Sequence, residues 1–199
     1  TRSLTLILPS GVQTEEGIAF LRKEQDWLLD KLGAVAPPIL FQPGAILPIF
    51  GKEHVILHTP EKRGTVSLQD GEIRVSGDRA HLPRRVKDWA YREIRQVLTE
   101  RVDAHADRLK VRRGRLSIRD QKSRWGSCSS AGNLNFSWRL IFMPEEVVDY
   151  IAAHEVAHLI HLDHSPAFWQ VTRSLCPHMT EAKAWLKKNG AAVHRYSVV

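Results

Sequence analysis

Val147 to Leu162 is the segment that most restricts how this chain can fold. Val147, Val148, Ile151, Ala152, Ala153, Val156, Ala157, Leu159 and Ile160 cover nearly every side of a helix, which places that helix in the middle of a folded domain. His154, Glu155 and His158 are set into it, and the segment contains no Lys or Arg to pair with them. Burying a carboxylate and two imidazoles among aliphatic side chains is unfavourable unless they are paired, hydrogen-bonded or bound to a metal. Helical residues four apart lie about 40° from one another and about 6 Å along the axis, so two imidazoles can converge on one ion. Glu155, offset by about 100°, falls beside that ion and not on it. This is the H-E-x-x-H arrangement of zinc hydrolases, in which the two His bind the metal and the Glu handles protons of the activated water. Zn2+ is therefore the expected cofactor and Glu155 the expected catalytic residue.

The third ligand follows from where the helix stops. Of ten histidines, His154, His158, His161 and His164 fall within eleven residues. On a continuous helix His161 would lie about 10 Å along the axis from His154, too far for one ion to hold both. His164 can reach the ion only if the helix ends before it, and Ser165-Pro166 reads as an N-cap followed by the first position of a new helix. His154, His158 and His164 are thus the expected metal ligands, with Glu181 and His178 as alternatives for the third. His161 is expected near the mouth of the site. Cys128 as a fourth ligand would close the site and make it structural, so an open, catalytic site is preferred.

The rest of the chain reads as α+β. Residues 1–82 form a β-rich N-terminal region, with strands expected at Ser3–Leu8, Val55–Thr59, Gly64–Leu68 and Glu72–Val75 and one helix from an N-cap at Thr14 to Gly33. Residues 83–199 form the catalytic domain. It opens with a long amphipathic helix from Pro83 carrying Val86, Ala90, Ile94, Val97, Leu98, Val102 and Leu109 on one stripe. Strands are expected at Leu116–Arg119 and Asn133–Phe142, with Trp125–Cys128 as a small-residue turn between them. Helices follow from Pro144, over Ser165–Leu175 and over Thr180–Lys188. An edge strand over Asn133–Leu140 would offer backbone groups to an extended peptide. For the donor that stabilises the oxyanion, Tyr150, His161, His178 and Tyr196 are all chemically able.

Composition narrows the alternatives. With 199 residues, 43% hydrophobic and 26% charged, the chain is an ordinary globular one, not a disordered tail or a disulfide scaffold. Two cysteines far apart in sequence suit a reducing compartment, so a cytoplasmic location is expected, and no apolar run approaches the roughly 18 residues of a membrane span. The net charge of +7 permits a nucleic-acid partner without specifying one. The basic segment 108–124, with Arg108, Lys110, Arg112, Arg113, Arg115, Arg119, Lys122 and Arg124, reads first as a solvated face. Its functional alternative is contact with phosphate backbones or acidic substrate segments, and the competing reading of the whole chain is a nucleic-acid-associated protein with a structural or non-catalytic zinc site.

Four stretches stand out together: Ser123-Arg124-Trp125-Gly126-Ser127-Cys128, Asn135-Phe136-Ser137-Trp138-Arg139-Leu140, Tyr150 with His154-Glu155-Val156-Ala157-His158, and His164-Ser165-Pro166-Ala167-Phe168-Trp169. In these the chain resembles the YgjP-like metallopeptidases, zincin-like metal-dependent hydrolases related in motif to SprT-like proteins. Leu8-Pro9-Ser10-Gly11-Val12 and Trp27 extend the likeness into the N-terminal half. The resemblance implies a zincin-like fold, a peptide or protein substrate, zinc on His154, His158 and His164, and Glu155 as general base. Metzincins share the His spacing but carry Gly at the turn where this chain has His161, so Ser165-Pro166 must end the helix here.

Overall fold

A computed structural model describes residues 6–28, 37–62 and 64–197. The chain divides into two compact units, Thr1–Pro38 with Val199, and Ile39–Val198. In the first, helix α1 (Thr14–Lys23) is entered from Gln13, so Thr14 is its first residue and not its cap. Glu15 and Glu16 in the first turn and Arg22 and Lys23 in the last suit the helix dipole. Gly17 lies under the preceding segment, where a Cβ would come within 2.7 Å of Leu8 and 2.8 Å of Leu6. Residues 6–8 are not strand, and the rest of the strand expected over Ser3–Leu8 lies outside the described residues. Helical backbone resumes over 25–28 after a break at Glu24, while the expected stop at Gly33 lies outside them too.

The second unit opens with β1 (Ile39–Leu40), β2 (Ile46–Ile49), β3 (Lys52–His58), β4 (Val66–Gln69) and β5 (Glu72–Val75). The last four form a sheet in the order β2-β3-β5-β4, with β3 and β5 parallel. β2 and β3 are joined through Phe50 and Gly51, both at positive φ (47° and 80°), as a tight two-residue hairpin requires. The Phe50 N–H donates to Ile141 O, and a Cβ on Gly51 would lie 3.2 Å from Pro144 Cα, so the hairpin tip rests where the histidine-bearing helix begins.

Helix α2 (Leu82–Leu109) buries Val86, Ala90, Ile94, Leu98 and Val102 of the stripe expected of it, with Val97 and Leu109 only partly buried, and ends on Lys110 in the left-handed region. A second sheet follows, of β6 (Leu116–Arg119), β7 (Gly126–Cys128) and β8 (Leu134–Ser137), in the order β6-β8-β7. Two expectations are corrected here. The strand expected over Asn133–Phe142 stops at Ser137, and Trp138–Phe142 is a buried 3₁₀ turn capped by Ser137 Oγ, which accepts from the Arg139 N–H. An unbroken apolar run does not by itself distinguish strand from helical turn. In addition, β8 is paired on both sides and cannot be an edge; the edge strands are β6 and β7, and β7 falls in the segment expected to be a turn. Gly-Ser-Cys has little strand propensity of its own and is extended because it pairs with β8.

Helices α3 (Glu145–Ala157), α4 (Pro166–Leu175) and α5 (Met179–Val193) and strand β9 (Tyr196–Ser197), parallel to β1, complete the α+β fold. α5 runs beyond Lys188 to Val193, and Gly190 within it is buried, where a Cβ would lie 3.7 Å from Trp125. α3 packs against α2, α4, α5 and β7, and so lies at the centre of this unit. No helix of the described residues is long and apolar enough to cross a membrane.

Candidate metal centre

Pro144 occupies the N-cap of α3, Glu145 and Glu146 fill its first turn, and Val147, Val148, Tyr150 to Ala153 and Glu155 to Ala157 are buried along it. The helix does not continue to Leu162. It ends with His158 as C-cap, and the chain turns there, with the N–H groups of Ile160 and His161 both donating to Ala157 O. Ile160 and Leu162 are consequently 44% and 64% exposed despite their apolar side chains. The early stop gives His161 a different part from the one its spacing suggested. Its carbonyl oxygen accepts a hydrogen bond from His158 Nδ1 at 2.9 Å, which fixes the tautomer and orientation of that ring and leaves Nε2 for a ligand.

Ser165 caps α4 by accepting from the Phe168 N–H, and Pro166 takes the first helical position, as expected. His164 lies in the connection so formed, its Nε2 3.2 Å from His154 Nε2. One ligand nitrogen from each of His154, His158 and His164 lies within 4.8 Å of the others. Two nitrogens on one tetrahedral zinc, each at about 2.0–2.1 Å, stand about 3.4 Å apart, so the spacing fits a shared ion. His154 Nδ1 is buried without a partner, leaving Nε2 as the nitrogen through which this ring makes its polar contact. Phe168, fully buried, places its ring against all three imidazoles at 4.4 to 4.9 Å, and Trp169 stacks on His164 at 5.5 Å. The trio thus has an aromatic backing that its spacing in sequence did not reveal.

Glu155 is 5% exposed and points toward β7. A Cβ on Gly126 would sit 2.5 Å from its Oε1 and 2.7 Å from its Cγ, so the glycine makes room for the carboxyl group. In front lies a cleft of about 320 Å³ between β7 with Arg124 on one side and the trio, Glu155 and Leu162 on the other. Burial pushes the Glu155 carboxyl up to about 8, against the opposing pull of Arg124. Burial also drives His154 down to about 3, helped by His158, His164 and Lys183, and lowers His158.

In metal-free protein these shifts act on stability in opposite directions. Folded His154 stays neutral to about pH 3, whereas the unfolded residue takes a proton near 6.5, so stability falls as pH drops through that window. Folded Glu155 stays protonated to about pH 8, whereas the unfolded residue ionises near 4.5, so stability falls as pH rises from 4.5 toward 8. Metal-stripped Glu155→Gln is therefore expected to lose less Tm than metal-stripped wild type between pH 5 and pH 8. Parallel Tm curves for the two proteins would contradict the burial of this carboxyl.

The remaining candidates lie elsewhere. His178 Nε2 faces Glu146 O at 3.1 Å and Asp149 Oδ2 at 3.4 Å, in a separate cluster of Asp149, Cys176 and His178. Glu181 is exposed in the first turn of α5. Tyr150 is buried against the edge of the His154 ring at 5.9 Å, with its phenol pushed up to about 12 by burial, and Tyr196 packs on Phe142 at 4.4 Å. None of these, nor the His161 side chain, lines the cleft. The basic run is dispersed as well: Arg108 donates to the carbonyls of Ser174 and Leu175, Arg113 pairs with Asp103 at 2.7 Å, and Arg124 reaches the cleft.

Three imidazoles converging beside a buried carboxyl group, with an open cleft before them, are the equipment of a metal-dependent hydrolase. The family model for the YgjP-like metallopeptidase domain matches residues 1–189, and the chain belongs to the YgjP-like metallopeptidases. Two solved structures are similar to parts of it. One is the metallopeptidase zymogen of Pyrococcus abyssi abylysin, at 24% identity over 51% of this chain and 99% of that one, with a TM-score of 0.42. The other is the metallopeptidase zymogen of Methanocaldococcus jannaschii jannalysin, at 18% identity over 46% of this chain and 94% of that one, with a TM-score of 0.41. No curated protein matches the chain.

Proposed function

We propose that this metallopeptidase is a zinc enzyme in which His154, His158 and His164 hold the ion and Glu155 is the general base. The observation that carries this is the approach of the three imidazoles to within 4.8 Å, with Glu155 buried alongside and offset from them. A set of imidazole nitrogens with a position left open suits catalytic zinc. Zinc, when bound, supplies Lewis acidity toward the scissile carbonyl and brings the pKa of water toward neutrality. Glu155 takes the proton released by the attacking water and returns it to the leaving amine. Its carboxyl, held near 8 by burial without a cation, is favoured in its charged form when a dication lies beside it. The free edge of β7 offers an extended peptide backbone hydrogen-bonding partners next to Glu155, so the substrate shelf assigned above to Asn133–Leu140 moves to Gly126–Cys128. The two free cysteines, Cys128 and Cys176, support a reducing, cytoplasmic setting.

Metal content per chain in His164→Ala tests the ligand set. Zinc is expected to fall well below one per chain after dialysis against a weak chelator, while wild type retains one. Full occupancy in the mutant would remove His164 from the site. DNA binding across a range of salt concentrations tests the nucleic-acid alternative, which requires a steep fall in affinity as salt rises.

A further inference from the structure

We propose that the cleft selects peptides carrying a carboxylate close to the scissile bond, and that Arg124 is the residue that recognises it. This rests on the peptidase reading above. Arg124 lines the cleft two residues before β7, is exposed, and forms no ion pair or hydrogen bond among the described residues. The nearby carboxylates do not neutralise it. Asp120 is taken by the buried Arg139 and by Lys87 at 3.4 Å, and Glu155, its carboxyl group turned to Gly126 of β7, forms no ion pair with Arg124. Asp163, in the connection before α4, has its carboxylate engaged by the Ser165 N–H.

A second cation approaches from a different element. Lys183 of α5 lies over the Trp169 ring at 4.3 Å, the ring that stacks on His164. Glu155 is the one carboxylate among the residues lining the cleft. An unpaired guanidinium at the end of an edge strand is suited to grip a carboxylate through two parallel N–H···O bonds, and it is positioned to do so for a peptide laid along β7. The carboxylate can come from an acidic side chain or from the free C-terminus of the peptide, and the fork geometry serves both.

Binding to zinc-loaded Glu155→Gln protein, which separates recognition from turnover, provides the test. The probes are an alanine-glycine octapeptide amide, the same peptide with a central Glu or Lys, and the neutral peptide with a free C-terminal carboxylate. At least one carboxylate-bearing probe is expected to bind about tenfold more tightly than the neutral amide, and which of the two does so identifies the source. Adding Arg124→Gln is expected to reduce that advantage to about twofold or less, Arg124→Lys to retain part of it, and raising the salt to shrink it. Equal binding of all probes, or a uniform loss across them in Arg124→Gln, would overturn the inference. Cleavage by the wild-type enzyme is read separately. A carboxylate preference in binding with no hydrolysis of any probe would count against the peptidase reading while leaving Arg124 as the anion-recognising residue.

Discussion

Glu155→Gln is expected to lower peptide hydrolysis by about 10²- to 10⁴-fold while leaving zinc content at the wild-type level. The substitution nearly preserves shape at a position only 5% exposed, so packing around α3 is retained. It does not remove any of the three imidazoles. What disappears is the proposed proton acceptor, and an amide cannot replace it in that role. The loss should appear in kcat, with KM little changed, because the carboxylate acts on the water and not on the bound peptide. Burial also disfavours the charged form of this side chain, so the neutral amide is expected to leave metal-free stability unchanged or raised at neutral pH. Wild-type turnover in this variant would remove Glu155 from the mechanism.

Gly126→Ala is the second large effect, and it arises from a position that makes no polar side-chain contact. Its Cβ would enter the space of Glu155 Oε1 at 2.5 Å and of Glu155 Cδ at 2.8 Å, closer than such atoms approach in folded proteins. The carboxyl group must swing away or β7 must move out from α3. Either displacement takes the base from its position, and activity is expected to fall about 10²-fold or more, since misplacement by about an ångström is enough for that. Zinc binding is expected to persist, because the three proposed ligands come from α3 and the connection into α4 and not from β7. The double variant Gly126→Ala, Glu155→Gln should lose little beyond Glu155→Gln alone, since both remove the same function. Additive losses would mean that Gly126 serves the site in some way other than making room for Glu155.

The parts of the site that could be read from the sequence are those set by local geometry. His154, Glu155 and His158 follow from helical periodicity in a segment with no polar face, and the placement of His164 follows from Ser165-Pro166 as a cap and first turn. Strands such as Glu72–Val75 and Leu116–Arg119 were likewise marked by alternation and flanking residues, and both are present with those bounds. The parts that could not be read depend on partners distant in the chain. Gly126–Cys128 lacks any residue that favours a strand and is held extended by β8. Gly126 matters because of a carboxyl group on another element, and Phe168 because three imidazoles meet on its ring. The end of α3 at His158 was hidden by Leu159, Ile160 and Leu162, whose apolar side chains continue the pattern after the backbone has turned. Two of these, Ile160 and Leu162, are exposed where periodicity would have buried them, and Leu162 lines the cleft.

X-ray absorption at the zinc edge of the wild-type protein, loaded with one equivalent of zinc, tests the central claim most directly. Three imidazole nitrogens at about 2.0–2.1 Å and one light, non-protein scatterer are the expected first shell. A sulfur scatterer at about 2.3 Å would place a cysteine on the ion, make the site a closed structural one, and contradict the assignment of an open catalytic centre to His154, His158 and His164.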